Sequence, residues 1–276
     1  DLTHNTVMSY SGQPGYHPES PSTLMLWDVE ALQEVYGANM EHELGNTHHF
    51  YTQGNSHMQT LWDAGGTDTI NMTSQTADNV IDLHEGARST LNGVENSLLI
   101  AYGCTIENAR GGFGNDQLIG NSHRNLLFGN AGGDILEGKG GNDVLRGGEN
   151  DDVYIWRLGD GRDTIREEKK AGWDSIEIHD GTALNSLEDD FVFRRFGRDL
   201  RIDLTFDQGP GQGTVMVKDM QWGNSQVETL RLYDGNGDQI GQDIDLKAIF
   251  VQADTSSQRF TLTDNYGEYG YIAVPV

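Results

Sequence analysis

Residues 111–155 read GGFGNDQLI, GNSHRNLLF, GNAGGDILE, GKGGNDVLR and GGENDDVYI, five nine-residue units laid end to end without a gap. The sixth position holds Asp116, Asn125, Asp134, Asp143 and Asp152; the eighth holds Leu118, Leu127, Leu136, Leu145 and Tyr154. A sixth unit, LGDGRDTIR from Leu158 to Arg166, follows a two-residue insertion and brings Asp160, Asp163 and Ile165. Glycines let the first six positions turn through positive φ. The last three positions form a short strand whose middle residue points inward. Two units make one full coil, so units eighteen residues apart stack. One edge then stacks Asp116, Asp134 and Asp152, and the other stacks Asn125, Asp143 and Asp163. Carbonyls and carboxylates of two stacked turns converge on one space. Calcium, a hard cation that takes about six to eight oxygens, suits such a set. The expected ligands are Gly112, Gly114 and Asp116; Gly129, Ala131, Gly132 and Asp134; Gly138, Gly140 and Asp143; Gly147, Glu149 and Asp152; and Asp160 with Asp163. The second unit carries Arg124 and Asn125 where the others carry Gly or Asn and Asp, so its site is expected to be weak or absent.

Composition agrees with a cation-dependent fold. The 276 residues include 18 Lys and Arg against 43 Asp and Glu, a formal charge of −25. That excludes nucleic acid as a partner, since phosphate binding needs a basic surface, and argues against an anionic membrane surface. Only 36% of the residues are hydrophobic and 36 are Gly, so bound metal is expected to do part of the work of a core. A single cysteine, Cys104, allows no internal disulfide. No stretch has the length of a transmembrane helix, so no membrane insertion is expected. The start at Asp1-Leu2-Thr3-His4 reads as the middle of a longer chain.

The period and composition of the repeats resemble the calcium-binding parallel β-roll of RTX proteins. Other motifs resemble the C-terminal part of serralysin-type secreted zinc metalloproteases. Thr6-Val-Met-Ser-Tyr10 resembles their Met-turn. Leu24 to Tyr36 (LMLWDVEALQEVY), ended by Gly37, resembles the helix that closes the catalytic domain, and its apolar residues recur at helical spacing. Leu61-Trp-Asp-Ala-Gly-Gly-Thr-Asp-Thr-Ile70 and Cys104-Thr-Ile-Glu-Asn-Ala109 resemble calcium turns of the family. The resemblance implies calcium ligation by Asp63, Gly65, Gly66 and Asp68 in the first turn, and by Thr105 and Glu107 in the second. It aligns a further ligand loop with Glu43 to Thr47, where Asn46 replaces the usual Asp. It also implies a role at zinc for Met8 and Tyr10, Tyr10 as a ligand or transition-state donor. His-Glu-x-x-His, which holds and uses that zinc, does not occur in this sequence. Zinc and catalysis are therefore expected only in a full-length parent with an N-terminal catalytic domain. His4, His17, His48 and His49 are read as surface or turn residues.

From Trp173 onward period-two strands are expected at Ser175–Ile178, Phe191–Phe193, Leu200–Leu204, Gly213–Lys218 and Val227–Tyr233. Asp234-Gly-Asn-Gly-Asp238 begins like an EF-hand loop, but Gln239 stands where that loop needs Gly, so a hairpin turn is expected. The fold class is all-β: a parallel β-roll flanked by antiparallel capping strands, with one N-terminal helix. The expected division is a protease-domain remnant (1–39), a leading β region with calcium turns (40–110), the roll (111–166), an antiparallel cap (167–255) and a tail (256–276). By analogy with RTX proteins, the tail is expected to serve as a type I secretion signal, which makes the chain extracellular and the export machinery a partner. Two other functions fit the repeats alone: a non-enzymatic adhesin or surface-layer module, and an accessory module of a polysaccharide-modifying enzyme.

Overall fold

The computed structural model describes residues 23–54, 57–167, 172–179, 191–204, 213–220, 227–239, 242–252, 260–264 and 271–275. The nonapeptide strands alternate between two sheets, because each six-residue turn reverses the chain onto the opposite face. The first sheet runs His48–Phe50, Thr69–Asn71, Asn108–Arg110, Leu126–Ala131, Val144–Glu149, Arg162–Arg166 and Gly213–Lys218, every neighbour parallel. Asp199–Leu204 and Phe191–Phe196 close that sheet antiparallel. The second sheet runs Val80–Asp82, Gln117–Ile119, Ile135–Glu137, Val153–Arg157, Asp174–His179 and Val227–Tyr233, again parallel. At one end Ile244–Asp245 adds antiparallel, and at the other Arg88–Leu91 and Val94–Ile100 do.

Within the nonapeptide repeats one inward residue per strand builds the core, while strands such as Asp174–His179 and Val227–Tyr233 bury two or three apolar residues. In the first sheet Ile70, Ala109, Leu127, Leu145 and Ile165 are neighbours across successive strands, and all are buried. In the second, Ile81, Leu118, Leu136, Tyr154, Ile176 and Leu230 do the same. The columns face each other across the roll and form one continuous cluster. Leu136 lies mid-column and is fully buried. Leu136→Ala is expected to cost about 2–5 kcal/mol through lost transfer energy and the cavity left behind. A urea midpoint in calcium that does not move would show that the column carries little of the packing.

The parallel coil is longer than the glycine-marked repeats. Strands expected as an antiparallel cap, Asp174–His179, Gly213–Lys218 and Val227–Tyr233, extend it in parallel, and Thr69–Asn71 and Val80–Asp82 extend it upstream. Alternation identifies a strand and its buried face but carries nothing about the direction of its partner. Within these two sheets antiparallel pairing is confined to the strands towards either end.

The helix covers Leu26–Tyr36. The Asp28 carboxylate accepts the Met25 N–H at 3.0 Å and satisfies one free donor of the first turn. Gly37, at φ 81°, ends it and donates to the Gln33 carbonyl. Met25 and Leu26 pack on Met58 and Leu99, while Leu32, Val35 and Tyr36 are exposed. Asp234 accepts the N–H groups of Asn236 and Asp238 in a turn bridged by Tyr233 and Gln239, the expected hairpin geometry. Met8, Tyr10, His4 and His17 lie outside the described residues. Within the expected tail, Phe260–Asp264 and Tyr271–Pro275 pair antiparallel. Among the described residues no helix is long and apolar enough to cross a membrane.

Candidate metal centres

The sixth-position carboxylates form two ladders, one along each edge of the roll. On the first edge each backbone N–H donates to the next carboxylate. Asn79 donates to Asp116 at 2.7 Å, Asp116 to Asp134 at 2.7 Å, Asp134 to Asp152 at 2.8 Å, Asp152 to Asp174 at 2.9 Å, and Asp174 to Glu228 at 2.9 Å. On the second edge Thr47 donates to Asp68 and Asp68 to Glu107, both at 2.7 Å. Further along, Asn125 donates to Asp143 at 2.7 Å and Asp143 to Asp163 at 3.0 Å. The two-residue insertion before the sixth unit is absorbed in the turn, since Asp143 and Asp163 are twenty residues apart yet stack like the others.

Each ladder bond uses one carboxylate oxygen. The second oxygen of Asp68, Asp134, Asp143, Asp152 and Asp174 is buried and has no hydrogen-bond partner. Buried polar atoms are almost always paired, so five such oxygens in one structural role call for a cation. The glycines keep them bare: a Cβ at Gly147 would overlap the free oxygen of Asp152. Gly132, at φ 113°, lies against the Gly114 carbonyl, so the turn needs both its left-handed backbone and its missing side chain. A lining of carboxylate and carbonyl oxygens suits a hard divalent ion, and the residues present fit calcium.

Electrostatics agree. Burial pushes the Asp134 carboxyl up to about 7, with the charges of Asp116 and Asp78 adding to the shift. Burial, then Asp134 and Asp174, pushes Asp152 up to about 8. Asp160 rises to about 6 by burial. Burial raises Asp143 and Asp163 as well, and the Asp163 charge adds to the shift at Asp143. Without a cation, the stacked carboxylates repel each other inside the protein.

Asn125 breaks this pattern. Its amide oxygen accepts the Asn121 N–H, and its amide nitrogen donates to the Glu107 carbonyl at 2.9 Å. The side chain satisfies its own rung with no oxygen left over. Asp116, at the head of the other edge, is also satisfied, because its second oxygen accepts the Gly112 N–H at 2.6 Å.

Upstream, the turn containing Asp63, Gly65, Gly66 and Asp68 closes on the loop Glu43 to Thr47. Asn46 accepts the Thr67 N–H, and the Gly45 carbonyl lies against Gly66. Glu107 reaches this turn through the Asp68 N–H. Thr105 lines a cleft of about 300 Å³ with Cys104, His84 and His123, and the Cys104 Sγ accepts the Asp63 N–H at 3.4 Å. Asp160 accepts the Arg157 N–H rather than joining either ladder.

Four residues were not among the expected ligands. Asp174 and Glu228 continue the first ladder, and Glu167 joins Asp152 and Asp174 in a cluster whose ligand oxygens lie within 4.8 Å of one another. Trp173-Asp174-Ser175 follows the same aspartate-before-strand pattern as Asp152, the one sequence signal that could have found it. His49, read as a surface or turn residue, lies within a strand. Its Nε2 is 3.2 Å from the buried Asp63 carboxylate, and Glu43 completes that cluster.

A family model described as the C-terminal part of serralysin-type M10 peptidases matches residues 28–248. The metalloprotease AprA of Pseudomonas entomophila is 37% identical over 233 residues, which cover 78% of this chain and 47% of that protein. Serralysin of Photorhabdus laumondii is 39% identical over 141 residues, 44% of this chain and 29% of that protein. Serralysin B of Dickeya chrysanthemi is 40% identical over 117 residues, 38% and 24% respectively. The chain thus spans less than half the length of these curated relatives.

Proposed function

This chain belongs to the serralysin C-terminal family of M10 peptidases, and from that premise we propose that it is a calcium-loaded β-roll that folds after export. The carrying observation is the set of buried, unpartnered carboxylate oxygens on Asp68, Asp134, Asp143, Asp152 and Asp174. Calcium is held by these residues and by the turn carbonyls around them. It supplies charge neutralisation and cross-links successive turns, and the ladder hydrogen bonds aim one oxygen of each pair at it.

The parent protein is a secreted zinc metalloendopeptidase. Its zinc and general base belong to a His-Glu-x-x-His helix that this sequence does not contain, so the chain alone is inactive. The catalytic domain is one partner, and the type I secretion machinery is the other. Low calcium inside the cell leaves the carboxylates repelling one another, and higher calcium outside folds the roll.

Equilibrium dialysis of the full chain against radioactive calcium is expected to find more than one bound ion. Asp134→Asn combined with Asp152→Asn is expected to remove at least one. A chain that takes up no calcium overturns the reading, as does a double variant with undiminished uptake.

A further inference from the structure

We propose that Glu43, His49 and Asp63 form a site for one zinc ion, separate from the calcium rungs of the ladders. The His49 Nε2 lies 3.2 Å from the Asp63 carboxylate, and ligand atoms of all three residues lie within 4.8 Å of one another. The ion would staple the loop that precedes the roll to the first turn of the roll.

Local structure places each ligand. His49 is the middle residue of the strand His48–Phe50, which pairs in parallel with Thr69–Asn71. Alternation puts His48 and Phe50 on one face, where their rings stack 5.9 Å apart, and sends His49 to the other. Asp63 follows the strand Gln59–Leu61 and is buried. The loop and the turn are already tied together. The Ala64 N–H donates to the His42 carbonyl at 3.0 Å, the Thr47 N–H to Asp68 and the Thr67 N–H to Asn46. Glu43 takes φ 49°, a left-handed backbone that a glutamate rarely adopts, and its carboxylate still reaches the turn. That carboxylate lies 3.7 Å from the His42 Nε2, an outer partner of the kind that steadies metal-ligating carboxylates.

Donor chemistry selects the ion. The ladders offer oxygens alone, whereas here an imidazole nitrogen faces a carboxylate. Calcium takes oxygen ligands, and imidazole suits zinc. Asp63 and Asp68 divide the turn between the two ions. Asp63 Oδ1 accepts the Gly65 N–H at 3.1 Å and its Oδ2 faces His49, while Asp68 keeps a buried oxygen without a partner for calcium. An ion pair of His49 with Asp63 would leave the third group unexplained. Glu43 brings a second carboxylate to the same imidazole, and neighbouring carboxylates repel unless a cation lies between them. Three protein ligands leave a position for water, and Glu43, the exposed member, gives the ion a way in from solvent.

The test is calorimetric titration of the full chain with zinc in excess calcium. The sequence contains no His-Glu-x-x-His, so a tight zinc phase cannot come from that motif. A single tight phase is expected, together with a higher melting temperature. His49→Gln is expected to weaken it by about tenfold or more and to abolish the thermal shift. His48→Gln, on the opposite face of the same strand, is expected to change neither. Should His49→Gln fail to fold, Glu43→Gln at its exposed position is expected to weaken zinc by about threefold or more. A missing tight phase, loss of that phase to excess calcium, or undiminished binding by either folded variant would each overturn the proposal. Calcium uptake is read separately by dialysis, so a failure here and a failure of the calcium reading are told apart.

Discussion

Chelating calcium at pH 7.5 is expected to abolish most of the β signal of this chain in circular dichroism, and adding calcium back is expected to restore it cooperatively. The reason is the ladder. Asp116, Asp134, Asp152, Asp174 and Glu228 are linked in series by backbone hydrogen bonds, and three of these residues each leave a buried oxygen without a partner. Each such group costs about 1–3 kcal/mol unpaired, and more when charged. A ligand that binds only the folded state stabilises it by about 2.7 kcal/mol per site at a hundred times its Kd. Several such sites together match the 5–15 kcal/mol that holds an ordinary domain folded. Within the nonapeptide repeats the apolar columns supply only one inward residue per strand, too little to compensate there. A spectrum in excess chelator that matches the calcium-loaded one would sink this account.

The second large effect is on pH. Asp134 is pushed up to about 7 and Asp152 to about 8, both mainly by burial, from an ordinary carboxylate value near 4. A folded-state pKa raised above the unfolded one means that the metal-free fold binds more protons than the unfolded chain. Its stability is therefore greatest below about pH 4 and declines as pH rises through about 8. Calcium reverses the dependence, because protons and calcium compete for the same oxygens. Calcium affinity is expected to fall by tenfold or more between pH 8 and pH 6, while the chelated chain gains β structure over the same interval. Thermal melts with and without calcium across this range would measure both slopes. Parallel slopes would show that the carboxylates do not titrate against the metal.

Much of the fold could be read from residues 111–166. The sixth-position Asp and eighth-position Leu define turn, strand and inward face locally, and residues eighteen apart stack as the period requires. Asn125 could also be singled out in sequence, and the structure gives it a self-contained hydrogen-bond set. The upstream motifs from Asp63 to Asp68 and from Thr105 to Glu107 were read from resemblance. The structure brings Asp68 and Glu107 together, and Thr105 lines a cleft beside Cys104.

What the sequence by itself determined is everything carried by the nine-residue period: the parallel coil, the two carboxylate edges and the single inward residue of each repeat. These follow from neighbours within one turn, whose backbone and side-chain geometry is set by local residue type. Only the tertiary structure decided where the coil ends, because Asp174 reaches Glu228 across fifty-four residues and no period spans that distance. It alone placed Glu167 beside Asp152 and Asp174, and His49 beside Asp63. A local pattern determines which way a side chain points within its strand, whereas its neighbours on the sheet depend on how distant strands are placed.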